Sequence, residues 1–287
     1  MTRQGRISRL RLTSPLRAAA PSFAAALSLA VTLPLGAQED FRAADADRPI
    51  LVEDAIPLKF REWEVEVGTR GTLGEGERGL LAIIELKTGL FRNAQVGLEA
   101  ETGFEDPGEA LSTRGGLEAV GAHVFYHLRR ETTGLPAVAL RADVTTPGAG
   151  AIGHDDWGAR FKAIATRSFD RLRLHGNAGY TVASGADGGD YWIAGLAFDY
   201  PIALFSRAIL GDVYVEIPAD RGRTRVWAEF GTRMQVSNWS VVDIGVATRL
   251  DRWEAGEANV ELVIGLSRVF GIPGLIDVPP YPNPAIR

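Results

Sequence analysis

Residues Trp157 to Val182 read WGARFKAIATRSFDRLRLHGNAGYTV. Trp157, Ala159, Phe161, Ala163 and Ala165 alternate with Gly158, Arg160, Lys162 and Thr166. Beyond Phe169-Asp170-Arg171, Leu172, Leu174, Gly176, Ala178, Tyr180 and Val182 alternate with Arg173, His175, Asn177 and Thr181. Strand side chains point to opposite faces at period two, so this pattern predicts a hairpin with one apolar and one polar face. Soluble sheets carry the same pattern. Two properties separate them from a membrane barrel: repetition along the chain, and segments long enough to cross a bilayer.

Both are present. The alternation predicts twelve strands: 58–71, 80–90, 94–104, 116–129, 136–146, the two strands of the hairpin, 191–200, 207–217, 224–235, 240–250 and 257–270. These run to about ten residues or more, against ~5–6 for strands of soluble sheets and ~9–11 for a tilted membrane strand. Connections after even-numbered strands are tight, as at Phe91-Arg92-Asn93 and Ser237-Asn238-Trp239, with 130–135 slightly longer. Those after odd-numbered strands are longer and rich in Gly, Pro and charge, as at 105–115 and 147–156. Short periplasmic turns, longer external loops and an even strand number describe an outer-membrane barrel.

Aromatic residues sort the same way. Trp63, Phe91, Phe169, Tyr200, Phe205, Trp239 and Phe270 fall at the periplasmic ends, and Phe104, Trp157, Tyr180, Tyr191, Trp192 and Trp253 at the external ends. Amphipathic rings settle at the two headgroup levels. A β-sandwich would use shorter strands around a buried core, and a solenoid would need a fixed short repeat, which is not found. The expected fold is therefore all-β, a transmembrane antiparallel up-and-down β-barrel over 58–270.

The ends agree with export. Five arginines precede an apolar run at 18–35, and Gly36-Ala37 offers a small-residue cleavage site, so 1–37 reads as a secretory signal peptide. Removing it takes away those five arginines and no acid, moving the net charge from −5 to −10. That charge excludes nucleic acid as an expected partner, since phosphate binding needs clustered Lys and Arg. The chain has no cysteine, and no later stretch approaches the ~18 apolar residues of a membrane helix. Residues 38–57, broken by Pro49 and Pro57, read as an N-terminal arm, either a plug reaching into the lumen or a periplasmic leader. Residues 271–287, rich in proline, read as a periplasmic tail, because proline lacks the ladder donor of a thirteenth strand.

With the apolar face toward lipid, the polar face lines the lumen. Glu62, Glu64, Glu66, Glu85, Glu99 and Glu101 come from the first three strands, accompanied by Lys87. Arg141, Arg160, Lys162, Arg173, His175 and Asn177 come from strands five to seven, accompanied by Asp143. In a ring of twelve these walls stand roughly opposite. They could set a transverse field that orients dipolar or charged solutes, or form an ion-pair network that fills the interior; both can hold together. Barrels of about eight strands are filled and those of about sixteen leave a water channel, so twelve points to a narrow or gated path.

Catalysis finds little support. His123 and His127 lie on one strand face roughly 13 Å apart, too far to share a metal unaided. His154, Asp155 and Asp156 sit in an external loop, and His175 has no serine at a suitable offset. No cofactor, metal or catalytic residue is expected. A non-transporting structural or adhesion barrel remains as an alternative, with an outer-membrane enzyme behind it.

One set of residues resembles a known family. Asp47-Arg48-Pro49, the acidic pair Glu53 and Asp54, the glutamate-rich opening strand, Gly158, Lys162 and the run from Arg173 to Tyr180 are similar to the outer-membrane transporter family labelled MetA-pathway of phenol degradation. The resemblance implies a channel-like protein of the Gram-negative outer membrane that passes aromatic or other small hydrophobic compounds. Its expected partners are outer-membrane lipid, the barrel-assembly machinery and a small-molecule solute. The tail beyond Phe270 departs from barrels that end on an aromatic residue.

Overall fold

The computed structural model describes residues 41–46, 48–74, 78–106, 114–150, 156–182, 189–203, 207–251 and 258–271. The signal and tail readings, Phe205 and Trp253 lie outside them, as do His154 and Asp155. The elements are β1 (Trp63–Gly74), β2 (Arg78–Phe91), β3 (Ala94–Asp106), β4 (Arg114–Arg129), β5 (Ala137–Thr146), β6 (Ala149–Gly150), β7 (Gly158–Phe169), β8 (Leu172–Val182), β9 (Tyr191–Ala203), β10 (Arg207–Pro218), β11 (Arg225–Ser237), β12 (Ser240–Arg249) and β13 (Ala258–Phe270).

Apart from the two-residue β6, which pairs with β4 near the external rim, each strand has 10–16 residues. Each of these twelve pairs antiparallel with both chain neighbours, and β1 pairs with β13 from Trp63↔Phe270 onward, which closes the sheet into a barrel. Closure leaves no open edge among the long strands, the condition for crossing a bilayer with strands.

Which face meets lipid follows from exposure. Leu98, Val124, Leu140, Leu196, Ile244 and Ile264 are all exposed on the outer surface, Leu196 at 73 %. Their in-strand neighbours Gly97, His123, Arg141, Gly195, Asp243 and Gly265 face the inside. A band of large apolar side chains on the outside of a closed sheet is stable only against hydrocarbon. At the short-turn end, Phe91 and Phe169 are exposed, and Trp63 stacks on Phe270 at 6.4 Å. At the other end Trp157 and Trp192 are exposed. The tight turns Arg92-Asn93 and Asp170-Arg171 mark the periplasmic end. Asp170 takes φ 55°, a left-handed position suited to a two-residue hairpin turn.

The barrel starts later than the alternation alone suggested. Residues 58–61 are not strand: the Leu58 amide donates to Gln95 Oε1 at 2.9 Å, Phe60 bridges to Gly89, and Arg61 turns at φ 68° into β1. Leu58 begins an apolar-looking run, but its backbone crosses the periplasmic mouth and is satisfied there by β2 and β3. The arm therefore continues to the start of β1.

Candidate functional site

The arm enters the barrel and circles its periplasmic half. Its charges meet opposite charges on strands around the ring. Arg42 Nε bonds Asp199 of β9 at 2.7 Å. Asp45 takes Lys87 of β2 at 3.0 Å and Arg233 of β11 at 2.8 Å. Arg48 reaches the acidic wall, with Glu66 of β1 at 2.7 Å, Asp243 of β12 at 3.4 Å and Ser267 of β13 at 3.0 Å. Glu53 then reaches the basic wall: Arg141 of β5 donates to it at 3.0 Å, Lys162 of β7 pairs with it, and Asn177 of β8 bonds its backbone on both sides.

Between these charges the arm is apolar. Ile50 is fully buried and Val52 nearly so, against Ile193, Leu210, Tyr214 and Trp227, which point inward from β9, β10 and β11. The amide of Leu51 donates to Asp212 and Glu229, and that of Val52 to Asp212 at 3.0 Å, so the extended backbone is satisfied by carboxylates of the wall. The Ala55 amide donates to Thr166 Oγ1 at 2.9 Å, and its carbonyl meets His127 Nδ1 at 2.6 Å. Two glycines make room: a Cβ at Gly231 would stand 2.7 Å from the Pro49 Cβ, and one at Gly245 2.7 Å from the Pro49 carbonyl oxygen.

The expected lumen residues divide by depth. Glu62 pairs loosely with Lys59 at the mouth. Glu64 and Glu66, with Asp45, surround the Lys87 ammonium at 3.4, 2.7 and 3.0 Å, so a carboxylate trio with metal-like spacing holds an internal cation. Glu85 lies 3.0 Å from His123. Arg173 and His175 both bond Asp199, at 2.6 and 3.0 Å, and His175 Nδ1 lies 3.0 Å from Thr166 Oγ1. This threonine, histidine and aspartate sequence is buried under the arm backbone, where it serves as an anchor for Ala55.

Glu99, Glu101, Arg141, Arg160 and Lys162 instead line an external vestibule of about 330 Å³, with Ala46 of the arm among its lining residues. Glu99, Glu101 and Glu118 come from β3 and β4, Arg70, Arg141, Arg160 and Lys162 from other strands, and Asp143 lies among the latter, bonded by Arg141 Nε at 2.7 Å. Below it, the space beside Arg48, Glu66 and Glu85 shrinks to about 20 Å³, room for roughly one water. Burial alone would raise the Glu53 carboxyl, but Arg141 and Lys162 outweigh it and hold it at about 2. Burial keeps Asp54 above its ordinary range despite Arg173 and His175.

What the alternation pattern did not disclose was the inward apolar strip of Ile193, Leu210 and Trp227. The signal was present as apolar residues in both registers of β9–β11, together with an otherwise unassigned Ile50-Leu51-Val52 in the arm.

No family model matches the chain and no curated protein is similar to it in sequence, so the phenol-degradation label rests on the short motifs alone. Solved structures do match in fold. The COG4313 outer membrane channel from Pseudomonas putida F1 superposes with a TM-score of 0.64 at 12 % identity, over 76 % of this chain and 98 % of that one. The NanC porin gives 0.52 at 10 % identity, over 72 % and 98 %. The chain has the fold of a Gram-negative outer-membrane β-barrel, twelve-stranded and closed.

Proposed function

We propose that this barrel is an outer-membrane channel for small solutes, held shut by its own N-terminal arm. The observation that carries the reading is the division of the lumen: a charged vestibule in its external half, above an interior in which Arg48, Ile50, Val52 and Glu53 of the arm are buried against the strands. A barrel with a purely structural role has no need of an external cavity walled by opposed charges. Its polar walls favour solutes with a charged or dipolar group, while Leu81, Ile83 and Tyr191 offer apolar surface to the rest of the molecule. Such a lining accepts the aromatic or hydrophobic compounds implied by the family resemblance only when they also carry a polar group.

Osmotic swelling of proteoliposomes tests this. Vesicles holding the protein without residues 38–57 are expected to swell in small polar solutes faster than vesicles holding the full chain. Equal, background-level swelling of both would remove the channel reading.

A further inference from the structure

We propose that the external vestibule is a binding site for a small carboxylate, and that this carboxylate competes with Glu53 for Arg141 and Lys162. The inference rests on the channel reading for its consequence, arm release, but not for the binding itself. Arg141 and Lys162 each face two ways. From the periplasmic side they hold the Glu53 carboxylate, Arg141 Nη1 at 3.0 Å and Lys162 through its ammonium. On the external side the same two side chains line the vestibule. The arm therefore presents, inside the lumen, the chemical group that a solute would bring from outside.

Arg160, two residues closer to the external rim on β7, supplies a third cation; its Nε donates to Thr181 at 3.2 Å and its Nη2 to Tyr191 at 3.3 Å. Arg141 Nε is held by Asp143 at 2.7 Å and its Nη2 lies 3.3 Å from His123 Nδ1, so an incoming carboxylate competes for the Nη1 that Glu53 now holds, where a guanidinium and an ammonium side by side match it in charge and donor geometry. The glutamates Glu99, Glu101 and Glu118 of the neighbouring β3 and β4 also line the vestibule and match an amine or hydroxyl at the solute's other end. The class selected is a small monocarboxylate with a hydrogen-bond donor at its far end. A cavity of about 330 Å³ is of the size of the smaller ligand pockets.

Competition links binding to the gate. An incoming carboxylate that takes Arg141 and Lys162 leaves Glu53 buried without its cations, which disfavours the docked arm. By reciprocity, removing the Glu53 charge must improve solute binding.

Titration calorimetry on the folded, detergent-solubilised full chain tests the site with butyrate, 4-aminobutyrate and butylamine. The expected order is 4-aminobutyrate tightest, butyrate next and butylamine without measurable binding. Glu53→Gln is expected to tighten 4-aminobutyrate by about tenfold, since the internal competitor lowers the fraction of competent sites. Lys162→Met is expected to abolish binding while the barrel keeps its heat-modifiable migration on a gel. Butylamine binding as well as butyrate, or unchanged or weaker binding in Glu53→Gln, would overturn the proposal. These readings do not involve conduction, so a binding site without a channel and a channel without this site give different results.

Discussion

Arg48 and Glu53 carry opposite charges and meet opposite walls of the lumen, Arg48 on Glu66 and Asp243, Glu53 on Arg141 and Lys162. Neither wall is satisfied alone, because each carries an excess of one sign in a space with little water. Arg48→Met removes one of two cations from each buried carboxylate, since Glu66 keeps Lys87 at 2.7 Å and Asp243 keeps Arg233 at 2.7 Å, so the loss falls below the about 3–5 kcal/mol of a fully broken buried pair. The arm should then become open to proteinase K from the periplasmic side of proteoliposomes, with the barrel intact; unchanged protection would contradict its anchoring role. Glu53 gives a pH signature. Its docked pKa, about 2, lies below the ordinary 4.5, so the docked arm binds fewer protons than the free one. The stabilisation is complete above the ordinary value, is lost progressively as pH falls below it, and is gone once pH has fallen through about 2. The arm's protection from pepsin should therefore persist at about pH 4 and decline toward pH 2. Glu53→Gln should flatten that part of the profile.

At the scale of elements, the arm and the strands are fitted by shape as much as by charge. Pro49 lies against Gly231 and Gly245, where any side chain would collide with it. Gly245→Val keeps a good strand residue in β12 and adds a wedge beneath the arm. It should raise proteoliposome swelling toward that of the arm deletion while the heat-modifiable gel shift remains; a variant as closed as the parent would show that Pro49 is not seated there. The strands themselves were legible in sequence, because period-two alternation and segment length need no knowledge of neighbours. Trp157 to Val182 reads directly as β7 and β8, paired from Ala159↔Val182 to Phe169↔Leu172. The charged walls were legible for the same reason. The seat of the arm was not. Ile193, Leu210 and Trp227 face inward although they are apolar, and their partner is Ile50 and Val52, more than a hundred residues earlier in the chain. Alternation assumes a wet interior; here part of the interior is a dry contact, and only the fold brings its two sides together.

For the whole molecule, the barrel and the arm are separable. The twelve-strand ladder closes on itself through β1 and β13 and needs no bond from the arm. The arm in turn fills the half of the lumen that the ladder leaves to it. Deleting residues 38–57 should thus leave a folded barrel with an open path, although unpaired wall charges will lower its stability. Single-channel conductance in a planar bilayer, measured for the full chain, for the deletion, and for the deletion with a synthetic peptide of residues 38–57 added on the periplasmic side, separates gate from scaffold. A closed full chain, a steadily conducting deletion and closure by the peptide are expected. A deletion that folds, inserts and conducts no better than the full chain would contradict the assignment of the arm as the gate.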